Sequence, residues 1–198
     1  MATTNPDTRQ VVLDSAIATF ARKGYAGTSV QDILRATKLS KPTLYYYFES
    51  KEGLFRAILD FAYDESFKLM KAAVAEQKTC ENQLVAVATA LFDFTENNQD
   101  LMRLVLGTVF AAPEELPLGC AHPARRRQNF NLIIGIVRKA QQKGELAKHY
   151  DAHKLAHGIF GAISHHIRTH LLLRRGKLDH QLAERVVDLF LNGARHHV

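Results

Sequence analysis

The most concentrated chemistry in this chain stands between Leu39 and Phe48, in the run Leu-Ser-Lys-Pro-Thr-Leu-Tyr-Tyr-Tyr-Phe. The ammonium of Lys41 can donate to guanine acceptors or to a phosphate. Thr43 can hydrogen-bond a base edge or touch a thymine methyl, and Pro42 offers only apolar contact, which suits the same methyl. The hydroxyls of Tyr45, Tyr46 and Tyr47 are suited to phosphates, contacts that fix register rather than read sequence. This is the chemistry of duplex DNA recognition. Catalysis finds no comparable support. The chain has no Gly-rich phosphate loop, no His-Glu-x-x-His and no Gly-x-Ser-x-Gly,. No enzyme activity and no cofactor are expected.

These side chains need a scaffold. Ser40 is a good N-cap, and Pro42 sits in a first turn where a missing N–H costs little. Leu44 and Phe48 are four apart and share one helix face, leaving Lys41, Pro42, Thr43, Tyr45 and Tyr46 on the other. Tyr47 borders the two. So short a helix is unstable alone and must be pinned by neighbours. A first helix is expected over about 8–23, capped by Asp7 or Thr8, with Leu13, Ile17, Phe20 and Ala21 as its stripe and Gly24 as its stop,. Thr28 is expected to cap a second helix reaching Lys38, with Gln31 as capping-box partner. Three short helices, the last two joined by a tight turn, have the spacing of a helix-turn-helix.

The remainder reads as helical too. Ser50 caps a long run to about Gln77. Further helices are expected over about 82–97, 100–110, 123–143, 151–175 and 179–193, with a loop over 111–123 that holds three prolines,. The fold class is therefore all-α, about nine helices, divided into 1–50 and 51–198.

With 198 residues, 46% of them hydrophobic, the chain can build a packed core,. Net charge is +6 and the pI about 9.4, which favours a polyanionic partner,. The first 51 residues hold seven Lys/Arg against four Asp/Glu, so half of that excess lies in a quarter of the chain. Cys80 and Cys120 form no spacing motif, and no signal-like or membrane-length apolar run is visible,. A cytoplasmic protein with free thiols and no membrane partner is expected.

The segments Gly24-Tyr-Ala-Gly-Thr-Ser-Val-Gln-Asp-Ile33, Leu39–Phe48 and Ser50-Lys-Glu-Gly-Leu54 resemble the TetR family of bacterial transcriptional regulators. The resemblance covers about residues 10–60. It implies an N-terminal three-helix DNA-binding domain and a larger helical domain for effector binding and dimerisation. By the same resemblance Thr28, Ser29 and Gln31 lie near a phosphate. Lys41, Pro42, Thr43, Tyr45 and Tyr46 lie on the recognition helix, Tyr47 reaches toward the backbone, and Lys51 contacts a phosphate.

Two DNA-binding heads require a dimer. Gly158, Gly161 and Ala162 allow close helix approach, and Val186 and Phe190 belong to a wide apolar face, so the last two helices are the expected interface,. A pocket for a small apolar or amphipathic effector, which rests on the resemblance, would draw on Phe67, Phe92, Met102, Phe110, Phe130 and Phe160, with Ser164 and His165 as polar anchors. The same apolar residues would equally suit an ordinary core. The expected function is a homodimeric repressor released from a palindromic operator by an effector. A metal-responsive regulator is the first alternative, because His149, His153 and His157, and His166 and His170, recur at a spacing of four,; a helical enzyme is the second and weaker one. No Cys or acidic ligand completes a motif with the histidines, and no metal site is assigned.

Overall fold

The computed structural model describes residues 6–112, 116–117 and 123–193. Among these, every regular element is helical: α1 (Pro6–Lys23), α2 (Val30–Thr37), α3 (Lys41–Phe48), α4 (Lys51–Ala75), α5 (Cys80–Asn97), α6 (Gln99–Phe110), α7 (Pro123–Lys143), α8 (Ala152–Leu173) and α9 (His180–Asn192). The fold class expected from sequence is thus the one observed. α1 begins at Pro6, ahead of the expected Asp7 or Thr8 cap. α8 ends at Leu173, because Arg174 already turns left-handed at φ 50°, before Gly176 is reached. Most of the proline-bearing loop, with Cys120, lies outside the described residues.

The chain forms two compact units. One comprises Met1–Ala62 with Gln99–His122, the other Tyr63–Asn98 with Pro123–Val198. α4 contributes to both, and α6 joins the unit that holds the helix-turn-helix.

In the first unit α1 packs against α2 and α6. Its core is built from Val12, Leu13, Ala16 and Phe20 of α1, Ile33 of α2, Leu44 and Phe48 of α3, and Leu54, Phe55, Ile58 and Leu59 of α4. α3 has only eight residues, so the burial of Leu44 and Phe48, worth about 1.5–3 kcal/mol each, is what holds it,. In the second unit α5 packs on α7, α8 and α9, and α8 also packs on α7 and α9. Leu84, Val87, Ile133, Val137, Ile159, Ile163 and Val187 are buried between them. Asp151 and Asp179 cap α8 and α9 through Lys154 and Leu182. Those N–H bonds hold both carboxyls below the usual range,. Among the described residues no helix is long and apolar enough to cross a membrane.

Candidate nucleic-acid interface

The recognition helix starts as its sequence dictates. The Ser40 side chain accepts from the Thr43 N–H at 3.3 Å, and its hydroxyl lies 2.8 Å from that of Thr43. Pro42 occupies the first turn. Leu44 and Phe48 are buried, while Lys41, Pro42, Tyr45 and Tyr46 are exposed, Tyr46 to 64%. The Lys41 ammonium lies 5.7 Å from the Tyr45 ring centre, a cation–π contact that keeps both side chains on the outer face,. Thr43 is half-buried, its hydroxyl engaged with Ser40. Tyr47 is half-buried too, edge-on to Tyr46 at 5.3 Å and tilted against Phe48 at 6.2 Å.

The start of α2 corrects the sequence reading by one residue. Ser29, not Thr28, is the N-cap, and its box partner is Asp32, not Gln31. The Asp32 N–H donates to Ser29 Oγ at 3.1 Å, and the Ser29 N–H donates to Asp32 Oδ2 at 3.0 Å. Thr28 is buried instead, its hydroxyl donating to the Gly24 carbonyl at 2.7 Å. Its side chain is consumed in the α1–α2 turn and has no donor left for a phosphate. Ser29 and Gln31 remain exposed.

Lys23 donates to Asp32 Oδ1 at 2.8 Å and ties the end of α1 to the start of α2. This bond, followed by those from Ser29, holds the Asp32 carboxyl far below its usual range. A lowered folded-state pKa contributes stability that is complete above the ordinary carboxylate pKa of about 3.9. That contribution is lost as pH falls through the folded value. Asp32→Asn is therefore expected to be less stable than the parent at pH 7. Urea denaturation should show the gap narrowing as the pH falls below about 4.

Lys51 departs furthest from expectation. Its ammonium donates to the carbonyls of Thr28 at 2.9 Å and Tyr25 at 3.1 Å, and lies 4.1 Å from the Tyr25 ring centre. Two of its three N–H donors face inward, so its first role is to fasten α4 to the α1–α2 turn. The Tyr25 hydroxyl in turn donates to Glu52 at 2.8 Å. The Glu52 carboxyl is lowered by its own backbone N–H first, then by Tyr25 and Ser50. Ser50 caps α4 as expected, accepting from the Gly53 N–H at 3.0 Å.

Arg9 reaches the end of α3 without any sign of it in the sequence. It is exposed on α1, and its guanidinium lies over Phe48 at 5.3 Å, which brings a cation to the end of α3. The separation in sequence is nearly forty residues, and no local pattern announces it.

Residues 12–58, which span this head, match the family model described as bacterial regulatory proteins, tetR family. The chain belongs to the TetR family. It is 29% identical over 151 residues to the transcriptional repressor ComR of Escherichia coli, covering 75% of this chain and 72% of ComR. It shares the fold of the TetR-family regulator PfmR from Thermus thermophilus, with 25% identity, a TM-score of 0.76, and 93% and 99% of the two chains covered. FadR from Bacillus subtilis, solved in complex with stearoyl-CoA, also has this fold, with 20% identity, a TM-score of 0.83 and coverage of 94% and 99%. TetR-family proteins are transcriptional regulators, not enzymes, and that is the class of this chain.

The effector residues expected in this TetR-family protein stand in different surroundings. Phe92 is fully buried core. Phe130 and Phe160, both half-buried, meet at 5.9 Å between α7 and α8, and His157 lies 4.3 Å from Phe130. Phe67 and Ser164 are half-buried, and His165 is exposed beside Arg168 at 3.2 Å, so it faces outward rather than into a pocket. Met102 belongs to the first unit and the other described members of the set to the second. The side chain of Phe110 lies outside the described residues. Of the expected dimer residues, Val186 is buried inside its own chain. Gly158 approaches Phe190 of the same chain so closely that an added Cβ would lie 2.9 Å from the ring. Gly161 is exposed and open, and Ala162 is half-buried.

The histidines disperse. His153 faces Arg138 at 2.9 Å, the His149 ring is tilted against Tyr150 with centres 4.0 Å apart, and His170 lies between the Gly176 carbonyl and Glu96. Burial lowers the pKa of His166. Among the described residues no three His, Cys, Asp or Glu side chains gather as a metal site.

Proposed function

We propose that this regulator is a cytoplasmic homodimeric repressor. Residues 1–50 bind a palindromic operator, and residues 51–198 dimerise and bind a small-molecule effector. The observation that carries the DNA reading is the outer face of α3. Lys41, Pro42, Tyr45 and Tyr46 stand exposed on a helix whose opposite face, Leu44 and Phe48, is locked in the core. Exposed aromatic side chains next to a cation have little purpose on an isolated surface and suit a nucleic-acid partner.

The dimer reading is supported by α8, where His157, Gly161, His165 and Leu172 recur on one exposed face, Leu172 to 69%. Leu189 of α9, 57% exposed, adds apolar surface. The effector reading follows family membership. The stearoyl-CoA of the FadR complex is a property of that protein, and a shared fold does not bring it here. Whatever the effector, it must bind the DNA-incompetent arrangement more tightly than the competent one, or DNA binding is unchanged.

Fluorescence anisotropy on duplexes from around the protein's own gene tests the reading. Saturable, sequence-selective binding that weakens steeply with salt is expected; salt-independent or unselective binding would oppose it. Thr43→Ala is expected to relax base preference. Lys41→Ala is expected to lower the salt slope by about 1 if the ammonium meets a phosphate, or to lose guanine preference if it meets a base.

A further inference from the structure

Between the second half of α4, α5 and α9 the short side chains of Ala72, Ala73, Ala86 and Ala90 leave a groove of about 1110 Å³. α9 runs antiparallel to α5, because the Leu178 N–H donates to Glu96 and, two residues on, His180 meets the Thr89 hydroxyl at 3.0 Å. The second and third turns of α9 are thereby directed back toward the start of α5, which the short turn after α4 also reaches. Glu76, Glu81, Glu184 and Asp188 line that end, with Arg185 as the accompanying cation, and Asp93 stands further along. Five carboxylates against one guanidinium and the His180 imidazole, which lies 3.4 Å from Glu184, make this groove negative in a chain whose net charge is +6. The floor is apolar, with Leu69, 38% exposed, Val85 and Phe94 beside the alanines.

We propose that this groove binds an amphipathic organic cation, with its ammonium head among the carboxylates at the start of α5 and its hydrocarbon tail along Leu69, Ala90 and Phe94. Charge decides the class of ligand. A fatty acid or an acyl-CoA would set its carboxylate or phosphates against four like charges, at a cost that excludes it. A bare metal ion lacks a ligand set, because no three acidic or histidine side chains gather tightly enough among the described residues. The carboxylates spread around the mouth as a field suited to a diffuse, weakly hydrated cation. From Val85 to Phe94, α5 rises about 14 Å, which matches a tail of about ten carbons in length rather than a compact ring system. The binding stands on the groove alone. That a bound cation also releases DNA rests on the repressor reading above, so the two are measured separately.

Isothermal titration of the full chain with decyltrimethylammonium bromide, held below its micelle concentration, tests the proposal, with decanoate as the anion of equal tail length. The expected result is saturable binding at one site per chain, weakening as salt is raised, and no binding of decanoate. The double variant Glu184→Gln/Asp188→Asn should bind about tenfold more weakly. Ala90→Leu, which fills the tail channel, should bind more weakly still, and far-ultraviolet circular dichroism should show both variants as helical as the parent. Equal binding of decanoate, no saturable binding of the cation, or unchanged affinity in both folded variants would overturn it. Anisotropy on operator DNA in parallel reads the regulatory consequence independently, so a failure there bears on the repressor reading and not on the binding seen by calorimetry.

Discussion

Gly53→Ala is expected to weaken DNA binding and to destabilise the first unit, although alanine ordinarily improves a helix over glycine by about 0.5–1 kcal/mol. The reversal comes from the α3–α4 junction. Glu49 adopts φ 61°, its N–H donates to the Tyr45 carbonyl at 2.9 Å, and the chain folds back on itself. This turn brings the Phe48 carbonyl oxygen over the first turn of α4. A methyl group on Gly53 would strike that oxygen and the carbon behind it. Backbone cannot step aside as a side-chain tip can, so overpacking of this kind costs about 1–3 kcal/mol. Part of that strain would be relieved by moving Phe48, one of the two anchors of α3. Operator affinity should therefore fall about tenfold or more. Urea denaturation and anisotropy on the same preparation check both effects. Unchanged stability and affinity would mean that the junction is looser than described.

Lys51→Ala should also destabilise the head, and this separates two accounts of the same residue. As a phosphate contact, Lys51 would cost affinity and salt slope while leaving stability alone. As observed, it holds the Tyr25 and Thr28 carbonyls and covers the Tyr25 ring. A hydrogen bond to a charged group contributes about 1.5–3 kcal/mol, so the variant should lose about that much stability. Its affinity should fall for all sequences alike, with the salt slope close to the parent's. Lys51→Met, which keeps the aliphatic stem, isolates the hydrogen bonds from the packing. Lys41→Ala is the counterpart, because Lys41 is exposed and its loss should change DNA binding without changing stability. Denaturation curves and salt titrations of the three variants together decide the matter.

These two residues also mark where sequence is legible and where it is not. α3 is readable because everything that specifies it is local: the Ser40 cap, Pro42 in the first turn and the four-residue spacing of Leu44 and Phe48. The Ser50 cap is readable for the same reason. The start of α2 is readable only to within one residue. Thr28 and Ser29 are both good caps, and Gln31 and Asp32 are both good box partners, so burial of Thr28 under the α1–α2 turn makes the choice. The inward role of Lys51 is set by carbonyls more than twenty residues earlier, and an acceptor on the main chain leaves no mark on the sequence. Arg9 over Phe48 is hidden in the same way.

The second unit is less legible for a different reason. Phe92 and Phe130 look alike as apolar residues at helical spacing, and only packing sends one into the core and the other to a half-buried aromatic cluster. The groove along α5 is nearly silent in sequence, because it is made by alanines, which read as ordinary helix formers. Its carboxylates come from α5, α9 and the turn after α4, and no single stretch displays them together.

Selection of binding sites from a pool of random duplexes by the purified full chain tests the central claim that the outer face of α3 reads DNA. The expected result is enrichment of an inverted repeat whose half-sites lie on one face of the duplex, about 34–36 Å or a multiple of it apart, with a base preference that changes in Thr43→Ala. A pool that remains random after repeated rounds at moderate salt, or an enriched site that Thr43→Ala, Lys41→Ala and Tyr46→Ala bind as the parent does, would contradict it.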